Sequence, residues 1–173
     1  MFLTPDHLVR ELGLKVGDKV ADIGAGTGAY TIALAREVGE VGQVYAVDVH
    51  REALHTLSYT LEKRNILNVD VLWADVEKHV PVDRFSLDAV VMSNILFQLE
   101  DIPGALKTVS MLLKPEGLLL VVDWSHSHAG IGPHPDHVIT ESRAESLVTE
   151  AGFRVLKRLP AGDYHYAFVA LSV

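Results

Sequence analysis

The chain has 173 residues and a formal net charge of −8, with 49% hydrophobic and 22% charged residues, the balance of a folded globular domain rather than a disordered chain. It contains no cysteine, which excludes disulfides, thiolate metal sites and a cysteine nucleophile. The acidic balance argues against a broad nucleic-acid-binding face. The opening MFLTPDHLVREL carries acids and lacks the apolar core of a signal peptide, and no apolar run reaches the roughly 20 residues of a membrane span, so the cytoplasm is the expected location.

Taken in chain order, short β-branched runs alternate with stretches of helical periodicity, the pattern of βαβ units and a parallel sheet. Residues 4–12 read as a short helix, with Thr4 as N-cap and Pro5 in the first turn. Strands are expected at 19–23, 43–48, 69–73, 87–92 and 117–123, and helices at 28–38, 51–64, 102–113 and 140–151. Residues 155–159 and 164–172, joined by Pro160-Ala161-Gly162-Asp163, read as an antiparallel hairpin. The segment 124–138 holds four His, two Gly and two Pro, and is long for a loop inside a compact domain; such loops act as lids or binding loops. No repeat or linker divides the chain, so 1–173 is expected to form one domain. In it, 1–15 would be an N-terminal helix or lid, and 124–138 a substrate-side loop.

Three strand ends carry residues suited to a ligand. The first is Asp22-Ile23-Gly24-Ala25-Gly26-Thr27-Gly28, where glycines allow a tight turn and close approach of a ligand to bare backbone. The spacing is G-x-G-x-G rather than the G-x-G-x-x-G that seats a pyrophosphate. An acid also stands two residues before the first glycine, which would repel a phosphate and attract a cation. The second is Val44-Tyr45-Ala46-Val47-Asp48, whose carboxylate could accept from both hydroxyls of a ribose or cap the following helix. The third is Trp73-Ala74-Asp75-Val76, where an acid could accept from an adenine amino group or cap a helix.

These three segments, with Phe85–Asn94 and Leu113–Val121, resemble the class I methyltransferases that use S-adenosylmethionine, nearest to the small members similar to ubiquinone/menaquinone-biosynthesis methyltransferases. Trp124 and Gly132-Pro133-His134-Pro135 match the loop that often follows the fifth strand in those relatives. The resemblance implies a Rossmann-like α/β/α sandwich with a seven-stranded, mostly parallel sheet of order 3-2-1-4-5-7-6, strand seven antiparallel. It implies S-adenosyl-L-methionine as cofactor, with Asp22, Gly24, Gly26 and Thr27 at its methionyl end, Asp48 on the ribose, and Val49 beside the adenine. Asp75 and Val76 would read the adenine edge, and the Ser93 carbonyl would meet the ammonium. Asn94 and Phe97 would begin the substrate side.

Methyl transfer is an in-line displacement that positioning alone can support, and a general base is required only if the nucleophile starts protonated. No catalytic residue is therefore obligatory. His126 is a candidate base, and Trp124, His128 and Tyr166 are candidates for the substrate wall. The histidines at 126, 128, 134 and 137 read as a polar lid, because carboxylate and thiolate co-ligands at a recognisable metal spacing are missing. A small-molecule methyltransferase is the expected function. A non-catalytic adenosylmethionine-binding protein and, less consistent with the glycine spacing, an NAD-linked oxidoreductase are the alternatives.

Overall fold

The computed structural model describes residues 4–127 and 132–173. Its centre is a seven-stranded sheet of order β3-β2-β1-β4-β5-β7-β6, formed by β1 (Lys19–Ile23), β2 (Gln43–Asp48), β3 (Val69–Trp73), β4 (Leu87–Ser93), β5 (Leu113–Trp124), β6 (Phe153–Leu159) and β7 (His165–Ser172). Strands β1 to β5 are parallel to one another, and β7 runs antiparallel to both β5 and β6. The sheet order and the antiparallel β7 are those the resemblance implied.

The helices are α1 (Pro5–Arg10), α2 (Ala29–Val38), α3 (Arg51–Lys63), α4 (Ile102–Leu112) and α5 (Glu141–Glu150). Side chains alternate across each strand, so the two faces of the sheet build separate cores. Val20, Val44, Val91 and Val169 pack with α1 and α2, and Ala46 on the same face meets Leu54, Leu57 and Leu61 of α3. On the other face Val90, Met92, Val121 and Phe168 pack with α4 and α5. Between β3 and β4 there is no helix: Val76 and Val80 cover that part of the sheet from an irregular segment.

One expectation at the end of an element is corrected. Strand β5 begins at Leu113 rather than at 117. It takes in Pro115 where its register with β4 jumps from Leu87↔Leu113 to Ala89↔Leu118, and a proline is tolerated in a strand at such an irregularity. Thr4 stands at the N-cap of α1 but its side chain makes no cap bond, whereas Thr140 does cap α5 by accepting from the Arg143 N–H. Among the described residues no helix is long and apolar enough to cross a membrane.

Candidate functional site

A cavity of about 730 Å³ opens beyond the carboxyl ends of β1, β2 and β4, the place where α/β sheets of this kind bind ligands, and its size suits a small organic molecule. The turn after β1 forms its floor. Gly24 and Gly26 both have positive φ, +79° and +53°, a backbone that side-chain-bearing residues rarely adopt. A Cβ on Gly24 would stand 2.8 Å from Ile95 Cδ1 on the opposite wall. The spacing of glycines therefore reflects both conformation and clearance.

Asp22 sits at the end of β1, 1% exposed. Thr31 Oγ1 of α2 donates to its Oδ2 at 2.6 Å. Burial pushes its carboxyl up to about 6, against the lowering effect of the Thr31 bond. Asp48 ends β2, also buried. Its Oδ2 accepts the Gly26 N–H at 2.8 Å and its Oδ1 accepts the His50 N–H at 2.8 Å, so the first and second strand ends are tied to each other. The N-cap position of the helix that follows is held by His50, not by Asp48, and the His50 side chain makes no cap hydrogen bond. Asp75 caps no helix either. Its Oδ1 accepts the Glu77 N–H at 3.0 Å in a tight turn, and the Lys78 ammonium at 2.8 Å from Oδ2 holds the carboxyl below its ordinary range.

The facing wall comes from the end of β4. Ser93, Asn94 and Ile95 line it, with Gln98 and Leu99 from the 3₁₀ turn that follows. Asn94 has φ +55°, and its side-chain oxygen is buried without a hydrogen-bond partner. Tyr30, at the start of α2, lines the cavity too; burial pushes its phenol up to about 12, against the lowering effect of nearby Ser93. The 3₁₀ turn is held by Asp123 at the end of β5. Asp123 is 1% exposed, its Oδ2 accepts the Leu96 N–H at 2.9 Å and its Oδ1 the Trp124 N–H at 2.8 Å. Burial pushes this carboxyl to about 6.

Asp22, Gly24, Gly26, Thr27, Asp48, Val49, Asp75, Val76, Ser93 and Asn94, all singled out from the sequence, line one cavity. Tyr30, His50 and Glu77 line it as well and were missed: Tyr30 reads as one more apolar position of an amphipathic helix, and His50 as an ordinary helix start. Phe97, Trp124, Tyr166 and His126 do not line it. Tyr166 is 5% exposed and stacked on Phe168 in the core beside α4 and α5, because its register places it opposite Asp123. The Trp124 ring packs on His165, 4.3 Å between centroids. His126 is exposed, its Nδ1 2.9 Å from Ser125 Oγ. His128 lies outside the described residues. Among the described residues no three His, Asp or Glu side chains converge as a metal site.

Among the described residues four carboxylates, Asp22, Asp48, Asp75 and Glu77, line the cavity, and no Lys or Arg does. Such a donor set fits a cationic ligand with hydroxyls and repels a phosphate.

A methyltransferase-domain family profile matches residues 20–117, the span that contains every strand end of the cavity up to β4. The ubiquinone/menaquinone biosynthesis C-methyltransferase of Haemophilus ducreyi is 35% identical over 114 residues, 65% of this chain and 44% of that protein. The demethylmenaquinone methyltransferase of Staphylococcus haemolyticus is 29% identical over 119 residues, 69% of this chain and 48% of that protein. The chain thus spans less than half the length of these curated relatives. Among solved structures, a SAM-dependent methyltransferase from Aquifex aeolicus superposes with a TM-score of 0.90 at 31% identity, covering 98% of this chain and 89% of that one. With its sheet order, its glycine turn and its acid-lined cavity, the chain belongs to the methyltransferase-domain family, in the class I, S-adenosylmethionine-dependent fold.

Proposed function

We propose that the chain binds S-adenosylmethionine in this cavity and catalyses transfer of its methyl group to a small, neutral acceptor. The observation that carries the reading is the cavity's four carboxylates without a lysine or arginine, set around a glycine turn. When bound, the cofactor supplies a methyl group activated on a sulfonium. Asp48, anchored by the Gly26 N–H, accepts from the ribose hydroxyls. Val49 flanks the adenine, and Asp75 with the Val76 N–H reads its edge. Asp22, Gly24, Gly26 and Thr27 surround the methionyl end, whose carboxylate meets backbone N–H groups at the start of α2. The Ser93 carbonyl accepts from the ammonium.

The acceptor enters on the side of Asn94, at the wall formed by the end of β4. The absence of cavity cations among the lining residues disfavours anionic acceptors, and a net charge of −8 supports a small molecule over nucleic acid. Catalysis rests on alignment of acceptor and methyl group and on exclusion of water, with no side chain required as base for an acceptor that is already nucleophilic.

Thermal unfolding with S-adenosylhomocysteine, S-adenosylmethionine or NAD tests the cofactor. A ligand at a hundred times its Kd stabilises by about 2.7 kcal/mol, a shift of several degrees. Stabilisation by the two adenosyl-sulfur ligands and not by NAD is expected; stabilisation by NAD alone would overturn the reading. Labelled-methyl transfer to a panel of acceptors then separates an enzyme from a binding protein. The first acceptors to screen are quinone precursors of the kind for which the curated relatives are named.

A further inference from the structure

His50 stands at the N-cap of α3 with extended backbone, φ −92° and ψ 99°, yet its side chain makes no cap hydrogen bond. This position favours the short oxygen of Ser, Thr, Asp or Asn. The ring turns back onto the end of β2 instead, with Nδ1 2.9 Å from Asp48 Oδ1. Because an ionised carboxylate only accepts, Nδ1 carries the proton in this bond.

Asp48 then has three donors. Oδ1 takes the His50 backbone N–H and the His50 ring, and Oδ2 takes the Gly26 N–H. A carboxylate offers about four lone-pair sites, so one remains, and a ribose diol needs two. Two of the three donors are backbone groups fixed by the start of α3 and by the glycine turn. The third belongs to a side chain 68% exposed, on a carboxylate only 8% exposed. It alone can swing into water without disturbing the fold.

We propose that the His50 imidazole occupies the ribose-binding face of Asp48 in the free protein and is displaced by the cofactor, so that His50 weakens cofactor affinity rather than contributing to it. This rests on the reading of Asp48 as the ribose ligand. His50 thereby becomes an affinity-setting residue of the site: its bond to Asp48 keeps the buried carboxylate satisfied when no ligand is bound, at the expense of the bond it must release.

Calorimetric titration of the intact chain tests this, using S-adenosylhomocysteine and its 2′,3′-dideoxy analogue. The variants are His50→Ser, which restores a capping oxygen to α3, and His50→Ala. An exposed partner on a carboxylate competes weakly, so Kd for S-adenosylhomocysteine should fall about threefold to fivefold in both variants. Kd for the dideoxy analogue should stay within twofold. Unchanged or weaker binding of S-adenosylhomocysteine in both variants would overturn the proposal, and so would equal tightening of both ligands, which would trace the effect to α3 rather than to the ribose contact. Failure of the wild-type chain to bind S-adenosylhomocysteine at all would instead remove the reading of the cavity on which the proposal stands.

Discussion

Asp22 combines a buried carboxyl with a place in the lining of a ligand cavity, and the combination has a measurable proton linkage. Its carboxyl, raised by burial to about 6, is protonated in the free protein below that pH. A ligand ammonium nearby favours the ionised form, so binding near pH 6 expels a proton. Affinity for S-adenosylhomocysteine should hold steady above about pH 7 and fall by up to about tenfold per pH unit below 6. Titrations in two buffers of different ionisation enthalpy count the protons released. Asp22→Asn should bind more weakly at pH 8 and lose both the slope and the release. The control matters because Asp123 is also raised to about 6, but both its oxygens are committed to backbone N–H groups and it does not line the cavity. For the free protein the sign is opposite: a carboxyl raised in the folded state stabilises at low pH, and that contribution is lost as pH rises from about 4 to 6. An affinity flat from pH 5 to 8 in the wild type would remove Asp22 from the ligand's surroundings.

The elements meet the site through their ends, and the glycine turn between β1 and α2 is the most constrained of these. Gly24→Ala would place a side chain at φ +79°, costing about 1–2 kcal/mol, and would press Ile95 Cδ1, 2.8 Å from the new Cβ. The melting temperature should fall by a few degrees, and S-adenosylhomocysteine affinity should drop at least tenfold, because Ile95 is displaced within the cavity wall. Circular dichroism melts with calorimetry would separate the two effects; an unaltered affinity would mean that the turn is only structural. This turn was legible in the sequence because its glycines follow a strand buried on both faces and open a helix. The strand bounds at Lys19–Ile23, Gln43–Asp48 and Val69–Trp73 were legible for a related reason: apolar runs there end in Gly or Asp. The 3₁₀ turn at Leu96–Gln98 was not, since its anchor is a carboxylate 27 residues away in the chain, and no local pattern encodes that bond. The wall of the cavity at the end of β4 and its surroundings were harder to read for the same reason. Phe97 and Trp124 were assigned by resemblance and Tyr166 from its place at the start of the last strand, and alternation along β7 turns Tyr166 toward Phe168 and the core.

Across the whole molecule, charge has a direction as well as a sum. The formal charge of −8 and the four carboxylates of one cavity produce a negative potential that low-dielectric walls concentrate at the mouth. S-adenosylmethionine carries a net positive charge through its sulfonium, whereas S-adenosylhomocysteine, with a thioether, is neutral overall. The two ligands share adenine, ribose and amino-acid groups, so a difference in their association rates isolates the field. Stopped-flow binding should show the rate for S-adenosylmethionine falling severalfold between 10 mM and 500 mM salt, as the screening length contracts from about 30 Å to a few ångströms. The rate for S-adenosylhomocysteine should stay within about twofold. Equal salt dependence for both would mean that the cavity carboxylates are neutralised by their own partners, as Asp75 is in part by Lys78, and that selection for the cationic ligand arises only after it has entered.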